Sequence, residues 1–402
     1  MEKMIMCVEE SEIAVIGAGP AGLIAAREAS LRGADVFVFE EHNEIGLPCH
    51  CAGLLSIEGL RSIGVPPYGA YVQNKIRGAR FFSPSNLSFT IEGKKVLAYV
   101  VDRHILDCFL AEQALKGGSR IKLSSRVQSV KYNRGWILNV NGHDYLRAKL
   151  LIDAEGALPK ILKATPLKVL DKNNLLNGFQ VDISGVKVDP EHVEVHLGRE
   201  IAPGFFAWII PLNDEEARVG LACKSPDLKN LLFKFIEKRF GDSERISMHS
   251  FHSGFIITCG PIEKTYSDRL MVVGDAAGQV KPISGGGVIF GGICASIAGR
   301  VASEAVKHDM LEEKFLKAYE NEWKARLGRE FKIALLARRI LNRLSDRDID
   351  KIFSIVLKEG IHNEISAEGD MDFQGTSILK IMGKRRILRF LPAILKAALI
   401  FK

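Results

Sequence analysis

Long apolar runs are missing from this 402-residue chain. No stretch approaches the roughly 20 uncharged apolar residues of a membrane span. The opening MEKMIMCVEE also lacks the apolar core of a secretion signal, so the expected compartment is the cytoplasm. Cysteine is scarce and odd in number, at Cys7, Cys49, Cys51, Cys108, Cys223, Cys259 and Cys294. That scatter argues against a secreted disulfide framework and suits small buried hydrophobes. Acidic residues stop at Asp372; beyond it Lys380, Lys384, Arg385, Arg386, Arg389, Lys396 and Lys402 equal the whole formal net charge of +7. The rest of the chain is balanced, which argues against nucleic-acid binding and leaves a basic tail to be explained separately.

What is present begins with glycine. Single cores rarely exceed about 250–300 residues, so the length predicts two or three packed units. In EIAVIGAGPAGLIAAREASLRGADVFVFE, an apolar strand over 13–16 precedes Gly17, Gly19 and Gly22 in GxGxxG spacing. An Ala-rich helix follows, and then a second β-rich run ending at Glu40. Gly17 permits the tight turn, Gly19 lets a pyrophosphate approach the backbone, and Gly22 brings helix against strand. The helix N-terminus favours the anion, and Glu40 stands where a carboxylate accepts from ribose hydroxyls. This motif leaves FAD and NAD both open.

Two later segments separate them. In DRLMVVGDAAGQVKPISGGGVIFGG, an apolar strand leads into Gly274 and Asp275, then Pro282 and the triplet Gly285, Gly286, Gly287 before a small-residue helix. It resembles the second FAD fingerprint of glutathione-reductase-like and hydroxylase-like flavoproteins. The resemblance implies that Asp275 binds the ribityl chain and that the glycine-rich helix start faces the isoalloxazine, whose reduced ring amide donors stabilise. VDRHILDCFLAEQALKGG resembles the family's Arg-x-x-x-Asp helix, which implies Arg103 near the cofactor; a surface ion pair with Asp107 is its plain alternative. Many hydroxylases have Asp-Gly where this chain has Glu155-Gly156, which weakens the hydroxylase version.

From about 168 to 260 the pattern alternates at period two, as an antiparallel sheet with one buried face does. Within it, PGFFAWIIP spaces Pro203, Phe206, Trp208 and Pro211 along one strand. A separate loop, GLPCHCAGLLS, puts Cys49, His50 and Cys51 side by side, as a metal site, a redox pair or one working thiol. Three ligands in three positions with no matching second half make a poor zinc site.

Together, Gly46, Pro48, Cys51 and Gly53, the PGFFAWIIP strand and the Gly274-Asp275 fingerprint resemble the geranylgeranyl reductase family across essentially the whole chain. Within that family the likeness is greatest to archaeal digeranylgeranylglycerophospholipid reductases. Phe206 departs from the tyrosine of many relatives. The implied fold is α/β: a glutathione-reductase-like or hydroxylase-like FAD-binding fold, an antiparallel β-sheet substrate domain and a helical C-terminal segment. FAD-binding sequence is expected at 1–75, 95–165 and 265–330, substrate-binding sequence at 76–94 and 166–264, and a helical region with a basic amphipathic tail at 331–402.

The implied activity is saturation of isoprenoid double bonds of membrane lipids by reduced FAD. The implied cofactor contacts are Gly17, Gly19, Ala21, Gly22, Glu40, Cys51, Ala52, Arg103, Val127, Gly156, Gly274, Asp275, Gly285, Gly286 and Gly287. Phe205, Phe206, Trp208 and Pro211 would contact substrate, Cys51 would be catalytic, and no metal is expected. Only one N-terminal-type fingerprint occurs, so electrons must come from outside, from ferredoxin or NAD(P)H. The tail suits an anionic membrane surface, where each Lys or Arg adds about 1 kcal/mol, or else a helix packed on the body. A flavin monooxygenase or halogenase, a membrane-docked electron carrier and a non-catalytic lipid-binding flavoprotein are the competing readings.

Overall fold

In a computed structural model, residues 8–241 and 246–381 are described. Five strands rich in Val, Ile, Leu and Phe run parallel in the order Leu270–Val272, His143–Asp153, Glu9–Ile16, Val36–Phe39 and Arg120–Lys122. An antiparallel ribbon, Val127–Tyr132 and Trp136–Val140, joins one side. Ile16 lies opposite both Asp153 and Phe39, and Asp153 opposite Val272, so these carboxyl ends share one edge. Open parallel sheets bind ligands at that edge.

Two helices cover the sheet's face. Pro20–Ser30 follows the glycine turn, and Val288–Lys307 packs along it because small residues let the backbones meet. A Cβ on Gly299 would stand 2.3 Å from the Ala25 carbonyl oxygen. Contrary to expectation from the sequence, Val288–Lys307 is long and apolar enough to cross a membrane; 78% of its apolar window is buried in the core.

The second sheet has seven strands in the order Ser247–Ile257, Leu175–Ser184, Glu216–Cys223, Phe206–Pro211, His192–Leu197, Gly78–Phe82 and Ser88–Glu92. It is antiparallel except between His192–Leu197 and Gly78–Phe82, which pair in parallel because the latter enters from a distant part of the chain. One face, including Val181, Ile183, Val219 and Leu221, packs on the helix Leu228–Phe240. Alternation turns Gln180, Asp182, Trp208 and Arg218 to the other face, where they meet the first unit.

The helix Glu313–Leu341 runs unbroken through position 330, where a boundary between segments was expected, and two further helices, Asp346–Lys358 and Ile361–Glu368, follow it. Of the tail's cations only Lys380 is described, paired with Glu368 at 2.9 Å. The expectation of membrane contact rests on residues 382–402, outside the described residues. Most of the cysteines were expected to be buried; among those described, Cys223 and Cys294 are buried, Cys49, Cys51 and Cys259 half-buried, and Cys108 exposed.

One ion pair fixes the sheet's outer side. Glu194 accepts from Arg239 at 2.7 and 2.8 Å and faces His196 at 2.9 Å. Burial works against its charge, but Arg239 and His196 outweigh burial and hold the carboxyl down at about 2. A depressed carboxylate stabilises the fold fully above its ordinary 4.5 and loses that contribution as pH falls through about 2. Stability should therefore decline by about 3 kcal/mol across that window on this account. Urea unfolding at a series of pH values should show Glu194→Gln to be less stable at neutral pH and to have a shallower acid limb; an unchanged limb would remove this assignment.

Candidate active site

The glycine turn opens a groove of about 310 Å³ at the carboxyl edge of the parallel sheet. Gly17 has φ +99°, and a Cβ there would stand 2.4 Å from the Ala154 carbonyl oxygen. A Cβ on Gly22 would stand 1.9 Å from the Gly17 carbonyl oxygen, so helix and strand touch through hydrogens only. Gly19 differs: its Cβ would meet no protein atom within 4 Å, and it caps the helix with Pro20 in the first turn. The open space beside Gly19 therefore fits an anion at the helix N-terminus.

Glu40 accepts from the Ala18 amide at 2.8 Å and the His42 amide at 3.0 Å, which fixes its carboxylate on the groove. Val127 and Gly156 also line the groove, whereas Gly22 lies behind it. Glu155, the departure from Asp-Gly, accepts from the amides of Lys160, Ile161 and Leu162 at 2.8 to 3.2 Å. Its extra methylene lets it cap that turn.

The groove joins a cavity of about 1530 Å³ through Gly19, Pro20, Arg103, Ala154, Gly156 and His50, which line both. Pockets for one drug-sized ligand occupy about 300–1,000 Å³, so this one has room for a cofactor ring and a long substrate. Arg103, with only 11% of its side chain exposed, pairs in a bidentate way with Asp107 at 3.0 and 2.8 Å. The pair is therefore buried at the junction rather than on the surface. Burial opposes the Arg103 charge, yet Asp107 and then Cys51 hold its pKa well above the ordinary value.

Asp275 faces the cavity, where burial raises its carboxyl and Arg103 works the other way. A Cβ on Gly287 would stand 2.5 Å from the Asp275 Oδ1, so glycine there admits the carboxylate at the start of Val288–Lys307. Ala21, Gly274, Gly285 and Gly286 border the same space. The long helix fixes this turn from behind. Gln279 accepts from the Gly274 amide at 2.9 Å and donates to the Tyr319 hydroxyl at 2.7 Å, which donates to the Val272 carbonyl at 2.7 Å. Lys281 ties the same loop to Asp372 at 3.0 Å, and Ser56 bonds the other oxygen of Asp372.

The Cys-His-Cys loop borders both spaces. Cys49 lines the groove, Cys51 and Ala52 line the cavity, and His50 touches both. Gln180 donates to the Cys51 carbonyl at 3.2 Å, and Arg218 donates to the Ala52 carbonyl at 3.0 Å. Asp182 accepts twice from Arg218, at 2.8 and 2.9 Å. Burial pushes the Cys49 thiol up, and burial followed by His252 pushes the His50 imidazole down.

Phe206 and Trp208 line the cavity, with ring centroids 6.1 Å apart. Phe205 and Pro211, expected at the substrate, lie off that wall. Phe205, just before the strand, stacks on Phe206 at 4.1 Å with Arg338 4.9 Å above it, and packs in the same apolar cluster as Trp208. Pro211 ends the strand, where its carbonyl accepts from Asn74 at 2.8 Å.

Gln180, Arg218, Asp182, Lys281 and Arg338 escaped the reading of the sequence. Their only local signal is a polar or charged side chain inside an apolar strand or beside a glycine fingerprint. Arg338 donates to the Gly204 and Ile283 carbonyls at 3.0 and 3.1 Å, and burial alone lowers its pKa to about 10.

Residues 175–256, most of the second sheet, match the family model described as geranylgeranyl reductase catalytic domain. Residues 15–65 match an NAD(P)-binding Rossmann-like domain. The chain is 33% identical over 352 residues to a digeranylgeranylglycerophospholipid reductase of Methanothermobacter thermautotrophicus, covering 85% of this chain and 90% of that one. A digeranylgeranylglycerophospholipid reductase of Methanocaldococcus jannaschii is 34% identical, with 85% and 89% covered. Among solved structures, a geranylgeranyl bacteriochlorophyll reductase-like protein of Thermoplasma acidophilum superposes with TM-score 0.86 and 26% identity, over 96% of this chain and 100% of that one. A flavin-dependent brominase superposes at TM-score 0.71 with 18% identity, over 97% and 100%, and so shares the fold alone. By its sequence relatives and its catalytic-domain match, the chain belongs to the geranylgeranyl reductase family.

Proposed function

We propose that this protein saturates geranylgeranyl-type double bonds of membrane-lipid precursors, with FAD as its hydride source. The observation that carries this reading is one continuous site, in which a nucleotide groove opens into an aromatic-walled cavity larger than one small ligand requires. Gly19 and Glu40 would hold the adenosine and pyrophosphate side, Asp275 the ribityl chain, and the amides after Gly285 the ring. Reduced FAD supplies two electrons as hydride.

An isolated alkene has no carbonyl to take up negative charge, so hydride cannot lead; protonation must accompany or precede it. The less substituted carbon takes the proton, and tertiary cationic character builds on its neighbour. The Phe206 and Trp208 ring faces stabilise that charge by about 0.5–2 kcal/mol each. Cys51 shapes the wall where the loop meets the sheet. Its part is to shield the alkene or place a proton donor. Electrons reach the cofactor from ferredoxin or NAD(P)H docking transiently. The basic C-terminal residues bring the protein to the membrane that holds its lipid, with liposome binding lost on deletion after residue 378.

Anaerobic mixing of dithionite-reduced protein with a geranylgeranyl lipid should reoxidise the flavin in a single turnover. A product that appears only with oxygen would favour the monooxygenase or halogenase reading. Cys51→Ala should slow the single turnover at least tenfold with flavin retained; a wild-type rate would remove Cys51 from the chemistry.

A further inference from the structure

Part of the cavity wall is a line of residues that crosses the second sheet. Trp208, Gly220, Gln180 and His252 are register partners on four adjacent strands. A Cβ built on Gly220 would stand 2.5 Å from Trp208 Cε2, the indole carbon bonded to Nε1, and 2.6 Å from Gln180 Cβ. Glycine at 220 thus brings the indole edge and the glutamine side by side.

Both are more than nine-tenths buried, Trp208 with 9% and Gln180 with 3% exposed, and both border the cavity. Gln180 uses its Nε2 on the Cys51 carbonyl. Among the described residues, no protein group bonds its Oε1 or the Trp208 Nε1. A buried polar atom left unpaired costs about 1–3 kcal/mol. Here one atom is a donor and the other an acceptor, so a single water molecule or hydroxyl satisfies both.

We propose that Trp208 Nε1–H and Gln180 Oε1 hold a water molecule that delivers the proton to the alkene beside Cys51. The inference rests on the reductase reading above. In the step, the alkene π bond breaks and two C–H bonds form. One takes hydride from the reduced cofactor, which is thereby oxidised by two electrons, and the other takes a proton from the held water. The hydroxide left behind is reprotonated from solvent along the same line, which ends at half-exposed His252 on the edge strand. Gln180 is then a positioning residue twice over, for the Cys51 loop and for the water.

Trp208→Phe tests this because it keeps an aromatic face and removes the N–H together with the fused five-membered ring. Anaerobic single turnovers of prereduced holoenzyme with a geranylgeranyl lipid should slow at least tenfold, with a larger solvent deuterium isotope effect and an unchanged flavin spectrum. Equal rates and isotope effects in variant and wild type would overturn the proposal. A high-resolution crystal structure of the wild-type holoenzyme provides a readout independent of turnover and of how the variant folds. An ordered water bonded to both atoms is the expected result, and a site empty or filled by another side chain overturns the proposal. If wild-type enzyme saturated no lipid while that water were present, the reductase reading would fail and the proton-delivery role with it, but the binding site would stand.

Discussion

Gly22→Ala is expected to abolish cofactor binding by breaking the fold beneath the groove. The added Cβ would stand 1.9 Å from the Gly17 carbonyl oxygen and 3.2 Å from the Ala154 Cβ, both held by the parallel sheet. The opposing oxygen is backbone, so the helix Pro20–Ser30 must lift off the strand, and its contacts with Val288–Lys307 go with it. Overpacking of this kind costs about 1–3 kcal/mol, and more where backbone meets backbone. Purified variant should be colourless and melt several degrees lower. Gly19→Ala is the control. Its Cβ meets no protein atom, so the apoprotein should keep its melting temperature while flavin affinity falls at least tenfold. Tight binding by Gly19→Ala would mean that the pyrophosphate lies elsewhere.

Asp182→Asn should cost about 3–5 kcal/mol, the usual penalty for leaving one partner of a buried ion pair unmatched. Arg218 and Asp182 are direct register partners with side chains 10% and 11% exposed, so water cannot easily replace the lost charge. Arg218 also donates to the Ala52 carbonyl, so the same change loosens the loop carrying Cys51. Combining Asp182→Leu with Arg218→Met in one variant should recover most of the stability, because apolar isosteres often equal a buried pair. It should not recover turnover, since the Ala52 carbonyl still lacks its donor. Chemical denaturation and single-turnover rates read the two effects separately. A cost below about 1 kcal/mol for Asp182→Asn would show that the pair is solvated.

The nucleotide unit was legible in the sequence because its constraints are local. Gly17 needs a positive φ, Gly22 needs the missing Cβ, and Glu40 follows at the end of the next strand, all within one β-α-β turn. The alternation over 168–260 likewise foretold an antiparallel sheet, but with one buried face, whereas the central strands Phe206–Pro211 and Glu216–Cys223 are buried on both. It could not foretell that Gly78–Phe82 would enter that sheet in parallel, because strand pairing between distant segments leaves no local periodicity. The same holds for the bonds that shape the site. Gln180 reaches Cys51 across 129 positions, Arg218 reaches Ala52 across 166, and Lys281 reaches Asp372 across 91. Phe205 and Pro211 were grouped with Phe206 and Trp208 by motif, but of these four only Phe206 and Trp208 line the cavity. Cys49 and Cys51, close in sequence, border different spaces, Cys49 the groove and Cys51 the cavity.

The central claim, that this protein reduces isolated isoprenoid double bonds, is tested most directly by the mass of the lipid itself. Dithionite-reduced holoenzyme, incubated anaerobically with a geranylgeranyl lipid, should yield products heavier by successive equivalents of dihydrogen. In heavy water each saturated bond should carry two deuterium atoms, because the transferable hydrogen of a reduced flavin exchanges with solvent as the proton does. Recovery of unchanged lipid from flavin-loaded, fully reduced protein, or a product bearing oxygen or halogen, would contradict the account.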